Sequence, residues 1–273
     1  MGECSSAGNT TIKKTEGSNM TIRTMLIASS LIAASIVSSA AHAALEGRDL
    51  NGSAGSFEAY YDTVLDITWL ADANFAQTSG YDADGLMTWA DANTWATNLS
   101  FYNPLTNQTY ADWRLPTVSP INGVSFNYST VFNGSTDFGH NVSEQGTAFA
   151  GATGSEMAHI FYNTLNNKGF CDPALSTADS CWFPQTGWAL TNTGPFANLQ
   201  ANNYWSGTEY APLTGSALFF GFLYGEQRPS DKYNGFYALA VSPGDVAAVP
   251  EAQTYALMLA GLGLVGWRAR RRG

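Results

Sequence analysis

A chain of 273 residues with 45% hydrophobic residues has the composition of a globular protein, and its net charge of −10 makes it acidic. Only 12 Lys and Arg stand against 22 Asp and Glu. Binding a phosphate backbone needs a basic patch, so nucleic acid is excluded as a partner.

The N-terminal region reads as an export signal. Residues 25–41 form an apolar, small-residue stretch containing Leu26, Ile27, Leu31, Ile32, Ile36 and Val37, preceded by Arg23 and closed by Ala41-His42-Ala43. A basic flank, an apolar centre and an Ala-x-Ala close make a secretory signal peptide, here residues 1–43, cut by signal peptidase after Ala43. The polar residues ahead of Met20 would make an overlong leading region, which points to Met20 as the start of translation. His42 leaves with the peptide. The mature part, residues 44–249, keeps five basic and nineteen acidic residues, a net charge near −14. Such a balance disfavours strongly anionic polymers and permits divalent cations or neutral sugars, while solubility outside the cell accounts for it equally well.

Leu65-Asp66-Ile67-Thr68-Trp69 alternates apolar and polar residues and predicts a half-buried strand. Thr88 is placed to cap a helix, with Asp91 three residues on, and Trp89, Ala92, Trp95, Ala96 and Leu99 then share one face. Trp113-Arg114-Leu115-Pro116-Thr117 predicts an extended segment arrested by proline. Residues 119–154 are rich in Gly, Ser, Thr and Asn with little periodicity, and predict a long surface excursion of doubtful order. Ser155 is placed to cap a second helix, with Met157, Ile160, Phe161 and Leu165 inward and Gly169 as its stop. Strands are expected at Tyr204-Trp205-Ser206-Gly207-Thr208, over residues 217–224 and over residues 236–241. Arg228-Pro229-Ser230-Asp231-Lys232 is expected to turn the chain between the last two.

Cys171 and Cys181 are the two cysteines of the exported part, and in an oxidising compartment such a pair predicts a disulfide. Closing so short a loop stabilises by about 2–3 kcal/mol. For sugar contact, Trp205 supplies a stacking face and Glu209 and Tyr210 supply polar partners for hydroxyls, with burial of Trp205 in the core as the competing reading. Arg114, isolated among apolar neighbours, is expected to pair with a buried carboxylate. Asp82-Ala83-Asp84-Gly85 begins like a calcium loop, so Asp82 and Asp84 are the candidate metal ligands. Met87 and Asn93 stand where an EF-hand needs its glycine and its bidentate glutamate, so it is no EF-hand. No other cofactor is expected. His140 and His159 belong to no nucleophile motif, paired catalytic carboxylates do not emerge from the spacing, and the chain is read as a non-enzyme.

The C-terminal stretch carries three signals in order: Val249-Pro250-Glu251-Ala252, an uncharged apolar run over residues 255–267, and Arg268-Ala269-Arg270-Arg271-Arg272. The run is shorter than the ~20 residues of a stable single span, which suits a transient membrane stop, and the basic cluster would be held at the cytoplasmic face. This arrangement resembles the PEP-CTERM sorting signal of Gram-negative bacteria, handled by a membrane protease of the exosortase type. Val249, Pro250 and Glu251 match its motif, and Ala252 stands where the family has a second proline. The resemblance implies a cut near Pro250, transient membrane contact through a short transmembrane helix within residues 249–273, and a place in the periplasm, at the outer surface or in the extracellular matrix.

A second resemblance rests on the Trp-Arg-Leu-Pro-Thr pentad at 113–117, taken with Trp69-Leu70-Ala71-Asp72, Trp89-Ala90-Asp91-Ala92 and Tyr204-Trp205-Ser206-Gly207-Thr208-Glu209-Tyr210. Together these resemble the Lcl C-terminal domain family over most of residues 60–245. The family resemblance implies a compact fold related to C-type lectins and formylglycine-generating enzymes, used at the cell surface for adhesion and polysaccharide contact. Residues 119–154 interrupt it, with Glu156-Met157 as the counterpart of a helix that ordinarily follows the pentad at once. Ser242 stands where similar chains carry Arg. The expected architecture is α+β: one C-type-lectin-like domain over residues 44–248, a mostly antiparallel sheet, two helices and long loops, followed by a C-terminal hydrophobic helix. The expected role is adhesive or polysaccharide-binding, with a passive structural role in a biofilm matrix as the alternative and an enzyme related to formylglycine-generating folds ranked behind both.

Overall fold

A computed structural model describes residues 45–53 and 55–246. The signal peptide at 1–43, the sorting residues Val249, Pro250 and Glu251, and the expected C-terminal hydrophobic helix lie outside the described residues.

Strands β1 (Leu45–Arg48), β2 (Ala59–Asp62) and β3 (Ile67–Leu70) form an antiparallel meander. The expected strand at 65–69 begins two residues late for a local reason. Asp62 Oδ1 accepts from the N–H groups of Val64 and Leu65, and Asp66 turns the chain with φ 52° before Ile67 pairs back with Asp62. A short helix α1 (Phe75–Thr78) follows, unannounced by any periodicity. Helix α2 (Trp89–Thr97) starts where the capping box predicts, with the Thr88 hydroxyl accepting from the Asp91 N–H, and it buries Ala92, Trp95 and Ala96. Next comes a small hairpin, β4 (Phe101–Asn103) with β5 (Gln108–Tyr110).

Residues 119–154, expected as a long surface excursion of doubtful order, carry two short strands. These are β6 (Thr130–Val131) and β7 (Phe138–His140), and Asp137, just before β7, pins the segment that leads into β6. Its buried carboxylate accepts from the Ile121 N–H through Oδ1 and from the Asn127 N–H through Oδ2, both at 2.7 Å. Order here comes from side chains satisfying backbone groups, a signal that hydrophobic periodicity does not carry.

Helix α3 (Glu156–His159) is capped by Ser155 and runs directly into a π-helical turn over Ile160–Thr164. It stops at Leu165, and Asn166 takes φ 54°. Gly169 is therefore not its C-terminal stop. Strands β8 (Asn203–Glu209), β9 (Ser216–Gly221) and β10 (Glu226–Asp231) form the main antiparallel meander. The expected turn at 228–232 is in fact most of β10; the chain reverses instead at Gly225, φ +64°, whose N–H donates to the Gly221 carbonyl. Pro229 fits a strand because β7 pairs only with Glu226 and Gln227, so its missing N–H faces no ladder. The last strand, β11 (Val241–Pro243), adds to β3.

Besides the β4–β5 hairpin, the described residues form a four-stranded antiparallel sheet in the order β1-β2-β3-β11, and a five-stranded sheet in the order β6-β7-β10-β9-β8 with one parallel pair, β6 with β7. The apolar run of β9 is explained by its position between two cores. Ala217 and Phe219 pack with Trp95, Trp113 and Trp205, whereas Phe220 and Phe222 pack with Trp69, Phe161 and Tyr204. The fold is sheet-dominated with three short helices and long loops, and among the described residues no helix is long and apolar enough to cross a membrane.

Candidate functional site

Where the reversal at Gly225 meets the loop after α3, aromatic side chains gather. The Phe170 N–H donates to the Tyr224 carbonyl at 2.8 Å, and the Gln185 N–H donates to the Phe170 carbonyl at 2.9 Å, so the two loops are laced together. Trp188 lies nearly parallel to Tyr224, ring centroids 5.7 Å apart, and Phe170 meets Trp188 edge-on at 4.8 Å. The disulfide joins Cys171 to Cys181, as expected from their compartment, with Cα atoms 5.4 Å apart, and it forms the neighbouring wall. Directly after Cys181, Trp182 and Phe183 stand 66% and 64% exposed.

Between these walls lies a cavity of about 260 Å³ lined by Phe132, His140, Phe170, Cys171, Cys181, Tyr224 and Glu226. His140 and Glu226 are register partners across β7 and β10, which sets their side chains together. His140 Nε2 lies 3.4 Å from Glu226 Oε2, and the Arg228 guanidinium donates to that same oxygen at 2.5 Å. Phe132 stacks on the His140 ring at 5.3 Å. Burial lowers the His140 pKa, outweighing the opposing pull of Glu226, with Arg228 adding to the lowering. The imidazole is thus neutral at neutral pH, and Glu226 is neutralised chiefly by Arg228. The site presents flat apolar faces, a neutral ring and one carboxylate acceptor.

The residues singled out from the sequence fall elsewhere. Trp205 does not offer a stacking face: it is fully buried and its Nε1–H donates to the Met87 carbonyl at 2.9 Å. Alternation along β8 sends it into the core beneath α2, and the expectation of sugar contact there is corrected. Glu209 is exposed and ion-paired with Lys232, whose ammonium also lies 4.3 Å over the Trp89 ring. Tyr210 is half-buried against Tyr128 and Phe138. The three do not form one surface.

Asp82 Oδ1 accepts from the N–H groups of Asp84 and Gly85, and Asp84 Oδ1 accepts from the Leu86 N–H. Both carboxylates therefore close their own loop. Among the described residues no group of three or more His, Cys, Asp or Glu converges as metal ligands. Arg114 forms a bidentate pair with Glu156, both contacts at 2.8 Å, while Glu156 Oε2 also accepts from the Thr117 N–H at 2.7 Å. His159 is buried on α3, with Nδ1 3.2 Å from the Ala152 carbonyl.

The convergence of the cavity residues is not legible in the sequence because they come from four separate segments, and no linear motif joins them. A comparison with curated proteins found no match. Residues 248–272 match the PEP-CTERM protein-sorting motif, beyond the described residues and covering the C-terminal stretch alone. This chain carries the signal of an exported protein of Gram-negative type, sorted and processed by an exosortase membrane enzyme.

Proposed function

We propose that the exported domain is an adhesive, polysaccharide-binding module that seats a neutral sugar ring in the cavity beside the Cys171–Cys181 loop. The observation that carries this reading is the cavity lining: the faces of Phe132, Phe170 and Tyr224 around a volume of about 260 Å³, with the Glu226 carboxylate at the wall. Aromatic faces bind the apolar face of a pyranose, and a fixed carboxylate accepts from its hydroxyls. The excess of 22 acidic over 12 basic residues favours neutral over uronic or sulfated polymers. The resemblance to the Lcl C-terminal domain family, with its C-type-lectin-like fold, agrees with this reading.

The test is binding of the exported protein to a panel of neutral and acidic polysaccharides, with calcium and with chelator. Saturable binding to a neutral glycan is expected. Tyr224→Ala should weaken it about ten-fold, the cost of one lost aromatic contact, in a protein that still melts cooperatively. Glu209→Gln should leave it unchanged. Flat responses across the panel would assign the chain to a passive role in the matrix, and a chelator-sensitive response would bring the Asp82 loop back as a metal site.

A further inference from the structure

Two tyrosines from opposite edges of the five-stranded sheet meet ring to ring. Tyr128 lies two residues before the edge strand β6, and Tyr210 directly follows β8, the edge strand on the other side. Their ring centroids stand 5.0 Å apart with the planes at 82°, so the edge of one ring meets the face of the other. Both residues are half-buried, and among the described residues neither hydroxyl has a hydrogen-bond partner. The cavity beside the disulfide uses neither of them.

The neighbours of the pair decide its chemistry. Phe126 lies nearly parallel to Tyr128 at 5.0 Å, and Phe138 lies against Tyr210 at 6.3 Å. A phenylalanine ring is much harder to oxidise than a phenol, so an oxidising equivalent that reaches either tyrosine stays on the pair. Among the described residues no thiol competes, because Cys171 and Cys181 are joined, and Met87 and Met157 are buried. A second tyrosine pair, Tyr204 with Tyr237 at 5.4 Å, supplies the contrast. Tyr204 is fully buried, its hydroxyl accepts from the Gln200 N–H, and burial raises its pKa, so its phenolic proton has no route to water. Exposed tyrosines such as Tyr102 and Tyr233 have no second tyrosine ring in contact among the described residues.

We propose that Tyr128 and Tyr210 form a modification site, where hydrogen peroxide acting through a haem peroxidase outside the cell joins the two rings by a bond between carbons ortho to their hydroxyls. Each phenol gives up one electron and one proton, and the two phenoxyl radicals pair their electrons in one carbon–carbon bond. The hydrogens on the joined carbons then move to the oxygens as both rings regain aromaticity. Two hydrogen atoms leave the protein in all, and the peroxide is reduced to two waters. Burial, with Asp137 and Tyr210, raises the Tyr128 pKa, so Tyr128 enters as the phenol and its proton leaves with its electron. The product ties residue 128 to residue 210, which clasps the sheet from edge to edge and fastens the 119–154 segment to the end of β8. The inference is independent of what the cavity binds.

The exported protein treated with hydrogen peroxide and a haem peroxidase tests it, read by intact mass and by peptide mapping. The monomer should lose the mass of two hydrogen atoms, gain the fluorescence of a biphenol, and yield one joined pair of peptides carrying Tyr128 and Tyr210. Y128F and Y210F, each lacking one hydroxyl, should each abolish that joined pair, whereas Y237F should leave its yield unchanged. The map of the natural protein decides without any variant: coupling found only between molecules through exposed tyrosines such as Tyr233, or oxidation that stops at the exposed Trp182, would overturn the proposal. So would an internal loss of two hydrogens that persists in Y128F.

Discussion

Glu156 shows how much one side chain can hold. It sits in the first turn of α3, pairs with both outer nitrogens of Arg114 and receives the Thr117 N–H, joining the pentad at 113–117 to α3. Removing one partner of a mostly buried pair strands the other, so Arg114→Ala is expected to cost about 2–3 kcal/mol in chemical denaturation, toward the low end because Arg114 is partly exposed. Glu144 acts oppositely with pH. Its folded pKa of about 7 lies above its unfolded value, so its stabilisation is complete below ~4.3, declines as pH rises from there and is gone above neutrality, a loss of roughly 3–4 kcal/mol. Denaturation midpoints should differ least between the natural protein and E144Q below about pH 4.3, with E144Q gaining on the natural protein as pH rises to about 8.5. The Arg114 pairing was legible in the sequence because a lone cation among apolar neighbours demands a carboxylate. Glu144 was not, because its shift depends on burial and on groups distant in the chain, Gln185 among them, forty-one residues away.

At the level of elements, α2 and α3 were readable where capping chemistry is local: a Thr or Ser hydroxyl serves an N–H three residues on. The strand β10 was misread as a turn because its Pro, Ser and Asp carry turn chemistry, and only the missing β7 partner beyond Gln227 makes Pro229 tolerable. Parallel pairing of β6 with β7 leaves a mark on one residue. Gly139 pairs with Val131 at φ +116°, and a Cβ there would run into the Val131 carbonyl. Gly139→Ala is therefore expected to destabilise by about 3 kcal/mol, seen as a lowered melting temperature. Reducing the Cys171–Cys181 bridge should cost about 2–3 kcal/mol, and the loss should fall on the aromatic loop before the two cores yield.

For the molecule as a whole, the strongest functional statement is held in a segment outside the described residues. The matched residues 248–272 carry the sorting information. Changing Pro250 and Glu251 to Ala should leave an unprocessed, membrane-retained precursor while the domain folds normally, as intact mass and a thermal melt of the extracted protein would show. Terminal signals of this kind are legible because membranes and processing enzymes read short linear stretches. The cavity was not, because β7, β10, the loop after α3 and the disulfide must first be folded together.

The two chain ends of the domain meet on one sheet, and the Arg48 guanidinium holds Asp245 at 2.6 and 2.7 Å. Beyond that clasp, Gly244 donates to the Asp66 carbonyl and accepts from the Thr68 hydroxyl, and Val241 exchanges two hydrogen bonds with Arg114. If the mature protein is tethered through its C-terminal side, mechanical load reaches these bonds in series, the clasp first and the strand after it. Such an arrangement works as a shock absorber: a tug on the tether spends itself on a few re-formable contacts at the margin before it is felt at the aromatic cavity.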